Sequence, residues 1–296
     1  MTGYILRRLV WALVVLVAIG LVTFFLTAVF PADPARAIAG PRASAADVDR
    51  IRHQLGLDQP FFTRLLDYAA RALQGDLGHS FSQDRDVLPL ILSRFPATAQ
   101  LALGGLLVEL VIGLPLGVIA AVRRGQLFDR LSTISSIILV SAPSFWVGLL
   151  LLHYLAFVPL TEANIGIFPM SGYQPLDLRY LALPALTLGF SGAAYYVRLT
   201  RATMLEELHK DYVRTARAKG LGEGPVRWRH AFRNALPPIL TQIGLDLGFF
   251  LGGVVVIEQI FSWPGIGKLA VDSIRTADVP LIMGTVLFAT LVIVIA

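Results

Sequence analysis

Six long apolar runs alternate with polar segments along this chain of 296 residues. The runs cover residues 9–30, 101–122, 131–160, 181–197, 235–257 and 281–296. A helix of about 20 apolar residues is long enough to cross the hydrocarbon core of a bilayer. The pattern therefore predicts an all-α integral membrane protein with six transmembrane helices.

The composition argues against several other classes of protein. Hydrophobic residues make up 55% of the chain and charged residues 15%, whereas a soluble domain carries about 25% charge. Cysteine is absent, so the chain has no disulfide framework, thiolate metal site or cysteine nucleophile. The five histidines, at positions 53, 79, 153, 209 and 230, lack the spacing of a zinc motif. The sequence thus predicts no cofactor and no resident metal ion in this chain.

The distribution of basic residues predicts the orientation of the helices. Arg7 and Arg8 precede the first run, three arginines follow the second, and the 198–233 loop has a net charge of +5. The 31–98 segment has eight arginines and eight aspartates and is neutral. Positively charged loops stay in the cytoplasm. This places the N-terminus in the cytoplasm, and it explains the basic excess without a nucleic-acid partner.

The runs also divide the chain into parts. These are the cytoplasmic N-terminus with the first helix (1–30), an extracytoplasmic cap (31–98), and a core (99–296) that contains a loop at 205–237. Within the cap, 45–55 and 60–73 are rich in helix formers, and Ser44 followed by Asp47 indicates a capped helix start. The cap would either meet an external protein or only shield the outer ends of the helices. Because the last run has only 16 residues, we expect a short cytoplasmic tail beyond it.

The polar segment between the fourth and fifth runs has the pattern of two helices. Apolar residues recur every three or four positions from 205 to 219, which predicts one amphipathic helix. Gly220 is the expected left-handed stop of that helix. A second short helix is predicted over 226–235, and the proline pair at 237 and 238 would form a stiff joint before the fifth run.

These residues resemble the cytoplasmic coupling loop of ABC importer permeases, in which Glu-Ala-Ala is followed by three residues, a glycine and, later, Leu-Pro. Arg214-Thr215-Ala216 stand at the Glu-Ala-Ala positions, Gly220 at the glycine and Leu236-Pro237 at the close. The loop departs from the general pattern at three points, and all three resemble the dipeptide/oligopeptide/nickel branch. They are the arginine in place of glutamate, an asparagine at 234 and a spacer that is four residues longer. Segments at 33–35, 55–60, 75–80, 95–98 and 261–267 resemble the same branch.

Membership of that branch implies a type I ABC importer permease. Such a subunit belongs to an ATP-driven importer that moves peptides across the cytoplasmic membrane by alternating access. The implied partners are a homologous second permease, two ATPase domains or subunits, an external solute-binding protein and membrane lipid. ATP and Mg²⁺ would be bound on the ATPase subunits. The cargo stays open between a dipeptide, a longer peptide, a glutathione-like peptide and a nickel complex or other small solute.

The resemblance also implies where an ATPase would contact this chain. We predict that the 205–219 helix docks into a groove of the ATPase by its apolar stripe. The implied coupling residues are Tyr212, Arg214, Thr215, Ala216, Gly220 and Leu221. From the residues alone, a basic amphipathic helix lying on anionic lipid is the alternative.

Three acidic side chains lie in or beside the apolar runs: Glu109, Asp246 and Glu258. A charge in the bilayer core costs roughly 2.5–3.5 kcal/mol, so such a group faces the helix bundle or a wet cavity. All three are candidates for the transport pathway, where they would attract an ammonium group or a cation. Structural hydrogen bonds between helices are the alternative. Tyr195 and Tyr196, followed by two arginines, predict an anchor at the membrane surface.

Two other classes of protein remain open at this point. Gly189-Phe190-Ser191-Gly192 matches the G-x-S-G of intramembrane serine proteases. A serine nucleophile needs a base, but His153 is predicted near the outer surface, while Ser191 lies on the order of 15 Å into its helix. Close helix packing explains these small residues better. A stand-alone channel would show repeats or a ring of like residues, and the sequence shows neither. Because a Walker motif is also missing, the chain is predicted not to be an enzyme.

Overall fold

The computed structural model describes residues 2–29, 34–40, 43–54, 56 and 58–296. Most of them are helical, which confirms the all-α prediction. In chain order the elements are α1 (Thr2–Val29), α2 (Pro34–Ala39), α3 (Ala45–Gln54), α4 (Phe61–Leu73), β1 (His79–Ser80), β2 (Arg85–Asp86), α5 (Val87–Val122), α6 (Leu127–Ser141), α7 (Ser144–Leu152) and α8 (Val158–Ala163). They continue with α9 (Leu178–Leu208), α10 (Asp211–Ala218), α11 (Glu223–Pro225), α12 (Arg233–Leu251), α13 (Val255–Ile260), α14 (Ile266–Arg275) and α15 (Val279–Ile295).

The chain forms two compact units. The first contains the residues up to 98 together with 251–255 and 264–296, and the second contains 99–250 and 256–263. Helix α5 is continuous across residue 98, so it begins well before the apolar run predicted over 101–122. Pro96 lies inside this helix, in its third turn, where it removes one backbone hydrogen bond.

The cap segment of the first unit agrees in part with the local predictions. Ser44 Oγ accepts a hydrogen bond from the Asp47 N–H at 3.2 Å, so α3 begins with the predicted cap. Helix α4 covers most of the predicted 60–73 segment. Strands β1 and β2 form an antiparallel hairpin that pairs His79 with Asp86. The hairpin was not predicted, because strands of two residues have no alternation to detect.

One carboxylate ties this hairpin to the last helix. Asp278 caps α15 by accepting the Leu281 N–H at 3.2 Å. It also accepts the Ser80 hydroxyl at 2.7 Å and the Ser82 hydroxyl at 2.8 Å. Beneath this contact lies a buried apolar cluster that includes Val87, Ile91, Ile266, Leu269 and Leu281. The start of α5 is therefore packed against α14 and α15.

Two of the six predicted spans are interrupted. The 131–160 run forms α6 and α7, separated at Ala142 and Pro143, because proline cannot continue the helix hydrogen bonding of α6. The 235–257 run ends as α12 at Leu251, and a new helix starts at Val255. Between them Gly253 has a φ of +113°, and an added Cβ would lie 2.9 Å from the Gly267 nitrogen. Glycine is required there, since two stretches of backbone approach each other closely.

In the described part of the chain, four helical segments are long and apolar enough to cross a membrane. They are Ile5–Thr27, Val87–Val122, Ser144–Ala163 and Leu178–Leu208, and Val279–Ile295 is apolar but shorter. The prediction of six spans is therefore matched by four full-length segments, one shorter apolar helix and the polar-faced α12. The polar face of α12 includes Gln242 and Asp246, which lowers its mean hydropathy.

Helices α5 and α9 pack closely along a seam of glycines in the second unit. A Cβ added at Gly105, Gly113 or Gly117 would meet Leu188, Tyr196 or Thr200, respectively, at 2.4 to 2.6 Å. The residue numbers on α9 increase in the same order as those of the facing glycines on α5, so the two helices run in the same direction. The chain between them must therefore cross the membrane once, which makes the interrupted α6–α8 segment a crossing element.

Candidate functional site

The loop after α9 is built around a bend that the sequence pattern did not show. Helix α9 ends at Leu208, and α10 begins two residues later at Asp211. The single helix predicted over 205–219 is therefore wrong. Glu207, only 8% exposed, accepts a hydrogen bond from Lys210 Nζ at 2.7 Å and another from the Tyr212 hydroxyl at 2.6 Å. These two bonds hold the bend by satisfying a nearly buried carboxylate.

Gly220 ends α10 in the predicted left-handed conformation, with a φ of +81°. Its N–H donates to the Arg217 carbonyl at 2.9 Å, and the Leu221 N–H donates to the Ala216 carbonyl at 3.3 Å. This pair of bonds is the Schellman arrangement, which satisfies the last carbonyls of a helix. An added Cβ would have nothing within 4 Å, so backbone conformation alone favours glycine at this position.

The inner face of α10 belongs to a small core within the loop. Val213 and Ala216 are buried against Val226, and Tyr212 packs beside them. The apolar stripe predicted to dock on a partner is thus already covered by this chain. Tyr212 and Ala216 therefore hold α10 in place, while Arg214, Thr215 and Leu221 are exposed.

The second half of the loop runs without interruption into α12. Residues Val226–Phe232 form a π-helical segment that joins α12 directly. The separate short helix predicted over 226–235 and the proline joint after it are both wrong, because Pro237 and Pro238 lie inside α12. Each of these prolines lacks a backbone N–H and therefore leaves a carbonyl of the preceding turn without its usual helical partner.

Charged side chains brace the loop from the outside. Glu223 accepts a hydrogen bond from Arg217 Nε at 2.8 Å and another from Arg227 Nε at 3.2 Å. The hydrogen bond from Arg217 is the main reason why the pKa of Glu223 lies below its usual range. The carboxylate is therefore ionised at neutral pH and links α10 to the π-helical segment.

A second ion pair, between Asp129 and Arg201, ties the start of α6 to α9. Arg201 Nη2 lies 2.9 Å from Asp129 Oδ2, and the Gly125 N–H donates to the same oxygen at 2.8 Å. The hydrogen bond from Arg201 lowers the pKa of Asp129 to about 2. The sequence analysis missed this pair. The available signal was a single aspartate in an arginine-rich loop, directly before an apolar run.

Glu109 is sealed inside the α5–α9 seam. It is 1% exposed, and a Cβ added at Gly192 would lie 1.6 Å from its Oε1. The carboxyl group therefore occupies the space that a side chain at position 192 would fill. Its Oε2 has no hydrogen-bond partner among the described residues. A group enclosed in this way has no open face toward a pathway in this conformation.

Asp246 is held in a more open setting on α12. The Tyr196 hydroxyl donates to its Oδ2 at 2.6 Å, and Gln242 Nε2 donates to its Oδ1 at 2.8 Å. Asp246 is half-buried, so the carboxylate keeps an accessible side. Tyr196 is fully buried, and the prediction that it forms a surface anchor with Tyr195 is wrong because its hydroxyl binds this carboxylate.

The remaining candidate positions are buried. Glu258, the third candidate for the transport pathway, is fully buried in α13. The Ser191 hydroxyl is buried and has no hydrogen-bond partner in the described part of the chain. No base is therefore in place to activate this serine. Among the described residues, no group of three His, Cys, Asp or Glu side chains could hold a metal ion.

Comparison with known proteins connects this arrangement to a family. Residues 113–296 match the family described as binding-protein-dependent transport system inner membrane component, and residues 1–102 match the N-terminal family of the same membrane components. The glutathione transport system permease protein GsiC of Escherichia coli strain K12 is 39% identical over 291 residues, which are 98% of this chain and 92% of that protein. The proteins of the same name from Shigella dysenteriae and Shigella flexneri are 39% and 38% identical over the same shares.

The chain belongs to this permease family. It is a type I ABC permease of the dipeptide/oligopeptide branch, the membrane subunit of a binding-protein-dependent importer. The resemblance stated from the residues around Gly220 and in the cap is thereby confirmed. In such a permease, a bent loop with one exposed helical face and a polar cluster between spanning helices are the two features that need a functional explanation.

Proposed function

We propose that this permease imports short peptides, including glutathione-like tripeptides, by alternating access that is driven by ATP hydrolysis on partner subunits. The names of its relatives support a glutathione-like cargo, and the loop pattern supports the peptide branch. The proposed assembly adds a homologous second permease, two ATPase domains and an external solute-binding protein that meets the cap. The arginine bias of the loops supports a cytoplasmic N-terminus.

The outer face of α10 is the proposed contact with the ATPase. Arg214 is exposed over 72% of its side chain, and Thr215 beside it is also exposed. The opposite face is anchored by Val213, which is fully buried. A helix with one face anchored and the other free can be pushed as a unit, and this is the observation that carries the proposal. Leu221, 42% exposed just after the helix, extends the contact surface.

Movement of α10 would reach the membrane through the bend. Glu207 is part of α9, and it binds Tyr212 of α10 directly. The same helix carries Tyr196, which holds Asp246. Eleven residues separate Glu207 from Tyr196, about 16 Å along a helix. We propose that Asp246 contacts the ammonium group of the cargo, since its two neutral donors leave acceptor capacity on the carboxylate.

A matched pair of glycine variants tests the coupling role of the loop. Gly220→Val forces a β-branched residue into a left-handed conformation, which costs on the order of 1–2 kcal/mol and distorts the end of α10. Gly222 has a φ of −62°, and the nearest atom to an added Cβ would be Pro225 Cδ at 4.0 Å, so Gly222→Val adds the same side chain without that strain.

The measurement is peptide uptake and peptide-stimulated ATP hydrolysis by the complete importer in proteoliposomes. We expect Gly220→Val to lower uptake about tenfold or more, the factor that corresponds to about 1.4 kcal/mol, while Gly222→Val transports normally. Both variants should assemble with their partner subunits. Normal uptake by an assembled Gly220→Val importer would contradict the proposed docking.

A further inference from the structure

A basic cavity lies where two spanning helices leave the membrane, beside the coupling loop. It has a volume of about 350 Å³. Its apolar wall is formed by the last residues of α5 and α9, among them Val122, Leu205 and Leu208. Val122 and Leu208 are the terminal residues of their membrane-length helices. The cavity therefore lies at the end of the second apolar run, where the proposed orientation puts the inner surface of the membrane.

The opposite side of the cavity is strongly basic. Its charged lining residues are Arg124, Arg214, Arg217, Arg227 and Glu223. With the lining His209 neutral, these residues have a net charge of +3. Glu223 offsets Arg217 and Arg227, which it bridges. Arg214 has only the fully exposed Asp211 as a partner, at 3.4 Å, and Arg124 has no ion-pair partner within 4 Å among the described residues. The Arg124 guanidinium is thus available to an anion, and Arg214 is shared between this cavity and the proposed ATPase contact.

We propose that this cavity binds the phosphate headgroup of an anionic phospholipid of the inner leaflet. An apolar wall facing a basic wall fits a molecule with a hydrocarbon part and a phosphate part. Arginine is suited to phosphate, because its planar group donates two parallel hydrogen bonds. Basic pockets between spanning helices on the cytoplasmic side are favourable places for anionic lipid headgroups. The site rests on the proposed orientation, which puts this end of α9 in the cytoplasm.

Such a lipid would connect three elements that the ATPase must move together. Arg124 follows α5, Arg214 belongs to α10, and Leu208 ends α9. A bound headgroup would neutralise the arginine charges that otherwise repel one another and would fix α10 against the membrane surface. The anionic lipid content of the membrane would then set how firmly the coupling loop is held.

The test is native mass spectrometry of the complete importer, titrated with phosphatidylglycerol and with phosphatidylcholine of the same acyl chains. We expect phosphatidylglycerol to bind about tenfold more tightly. Arg124→Gln should weaken its binding about fivefold, as expected for one arginine near an anionic lipid. Arg130→Gln removes the same charge from an exposed residue that does not line the cavity, and it should bind lipid as the unchanged protein does.

Four results would overturn this assignment. Equal binding of the two lipids, or unchanged phosphatidylglycerol binding by Arg124→Gln, would show that the cavity does not recognise the headgroup. Displacement by an equal concentration of inorganic phosphate would show a site for free anions instead. Absence of lipid from the wild-type importer would show that acidic groups of the ATPase fill the cavity. Because lipid is measured directly, these results are independent of whether Gly220 variants transport.

Discussion

The α5–α9 seam and the 205–237 loop both hold polar side chains in place, but by opposite means. In the seam, the close approach depends on glycines, which have no side chain. They let Tyr196 and Glu109 come within a few ångströms of the facing backbone. In the loop, position depends on polar bonds, such as those to Glu207 and Glu223, and on one left-handed glycine. We therefore expect a substitution that adds atoms to the seam to destabilise the protein strongly. Most single substitutions in the loop should cost less, because several polar contacts hold it.

The largest effect is expected from adding one methyl group to the seam. In Gly113→Ala the new Cβ would lie 2.4 Å from Tyr196 Cβ, and relief requires the two helices to separate. Overpacking of this kind costs about 3 kcal/mol at the upper end of the usual range. Thermal unfolding of the assembled importer should show the loss. Gly20→Ala in α1, with a nearest contact of 3.4 Å, is the control and should leave the melting temperature unchanged.

A smaller loss is expected at the ion pair between Asp129 and Arg201. Asp129→Asn removes a charge-assisted bond to a 4% exposed carboxylate, a cost of about 2 kcal/mol. The folded-state pKa of Asp129, about 2, is below the ordinary value of 3.8. The pair therefore stabilises the protein above about pH 4, and this contribution is lost as the pH falls toward 2.

The melting temperatures of the wild type and Asp129→Asn should thus converge as the pH is lowered through that window. Asp49→Asn removes a pair on an exposed helix surface and should have almost no effect at any pH. If Asp129→Asn were as stable as the wild type at neutral pH, the link between α6 and α9 would not contribute as argued.

Asp246 and Glu109 provide the sharpest contrast within the seam region. Asp246→Asn should lower peptide uptake about tenfold or more, the loss of one charge-assisted hydrogen bond to the cargo. In Glu109→Gln the new side chain has nearly the same size as glutamate. Because the position is enclosed between α5 and α9, peptide uptake should stay near normal. The assay is peptide uptake at subsaturating concentration, with assembly checked in parallel. An equal loss of peptide uptake in both variants would mean that the greater exposure of Asp246 relative to Glu109 has no bearing on transport.

The smallest effect is expected at the bend of the loop. Tyr212→Phe removes one of two hydrogen bonds to Glu207 and leaves the bond from Lys210 in place. We expect a loss of about 1 kcal/mol in stability and slightly weaker stimulation of ATP hydrolysis by peptide. Tyr154→Phe, at a residue that is 62% exposed, should change neither quantity. A Tyr212→Phe importer with fully abolished coupling would show that the loop is less well braced than its contacts indicate.

The sequence predicted those features that depend on local chemistry. Gly220 was placed correctly because only glycine readily adopts the left-handed stop, and the Ser44 cap because a hydroxyl three residues before a carboxylate is a local signal. Apolar run length located the spanning segments but not their interruptions. The break at Gly253 depends on a contact with Gly267, which is distant in sequence.

The positions of the site residues were harder to predict for the same reason. Tyr196 has the sequence setting of a membrane-surface anchor, but its hydroxyl reaches a carboxylate 50 residues away. Ala216 and Tyr212 belong to an amphipathic stripe, and the sequence cannot tell whether such a stripe faces a partner or the chain's own Val226. Tertiary contacts decide both cases.

Helix α9 extends without a break from Leu178 to Leu208, and it carries a contact to Asp246 within the bilayer and a contact to Tyr212 below it. No proline lies between these two contacts, so this part of the helix can move as one rigid body. A change at the proposed cargo site would therefore reach the proposed ATPase contact through a single 31-residue helix, without a series of smaller rearrangements along the way.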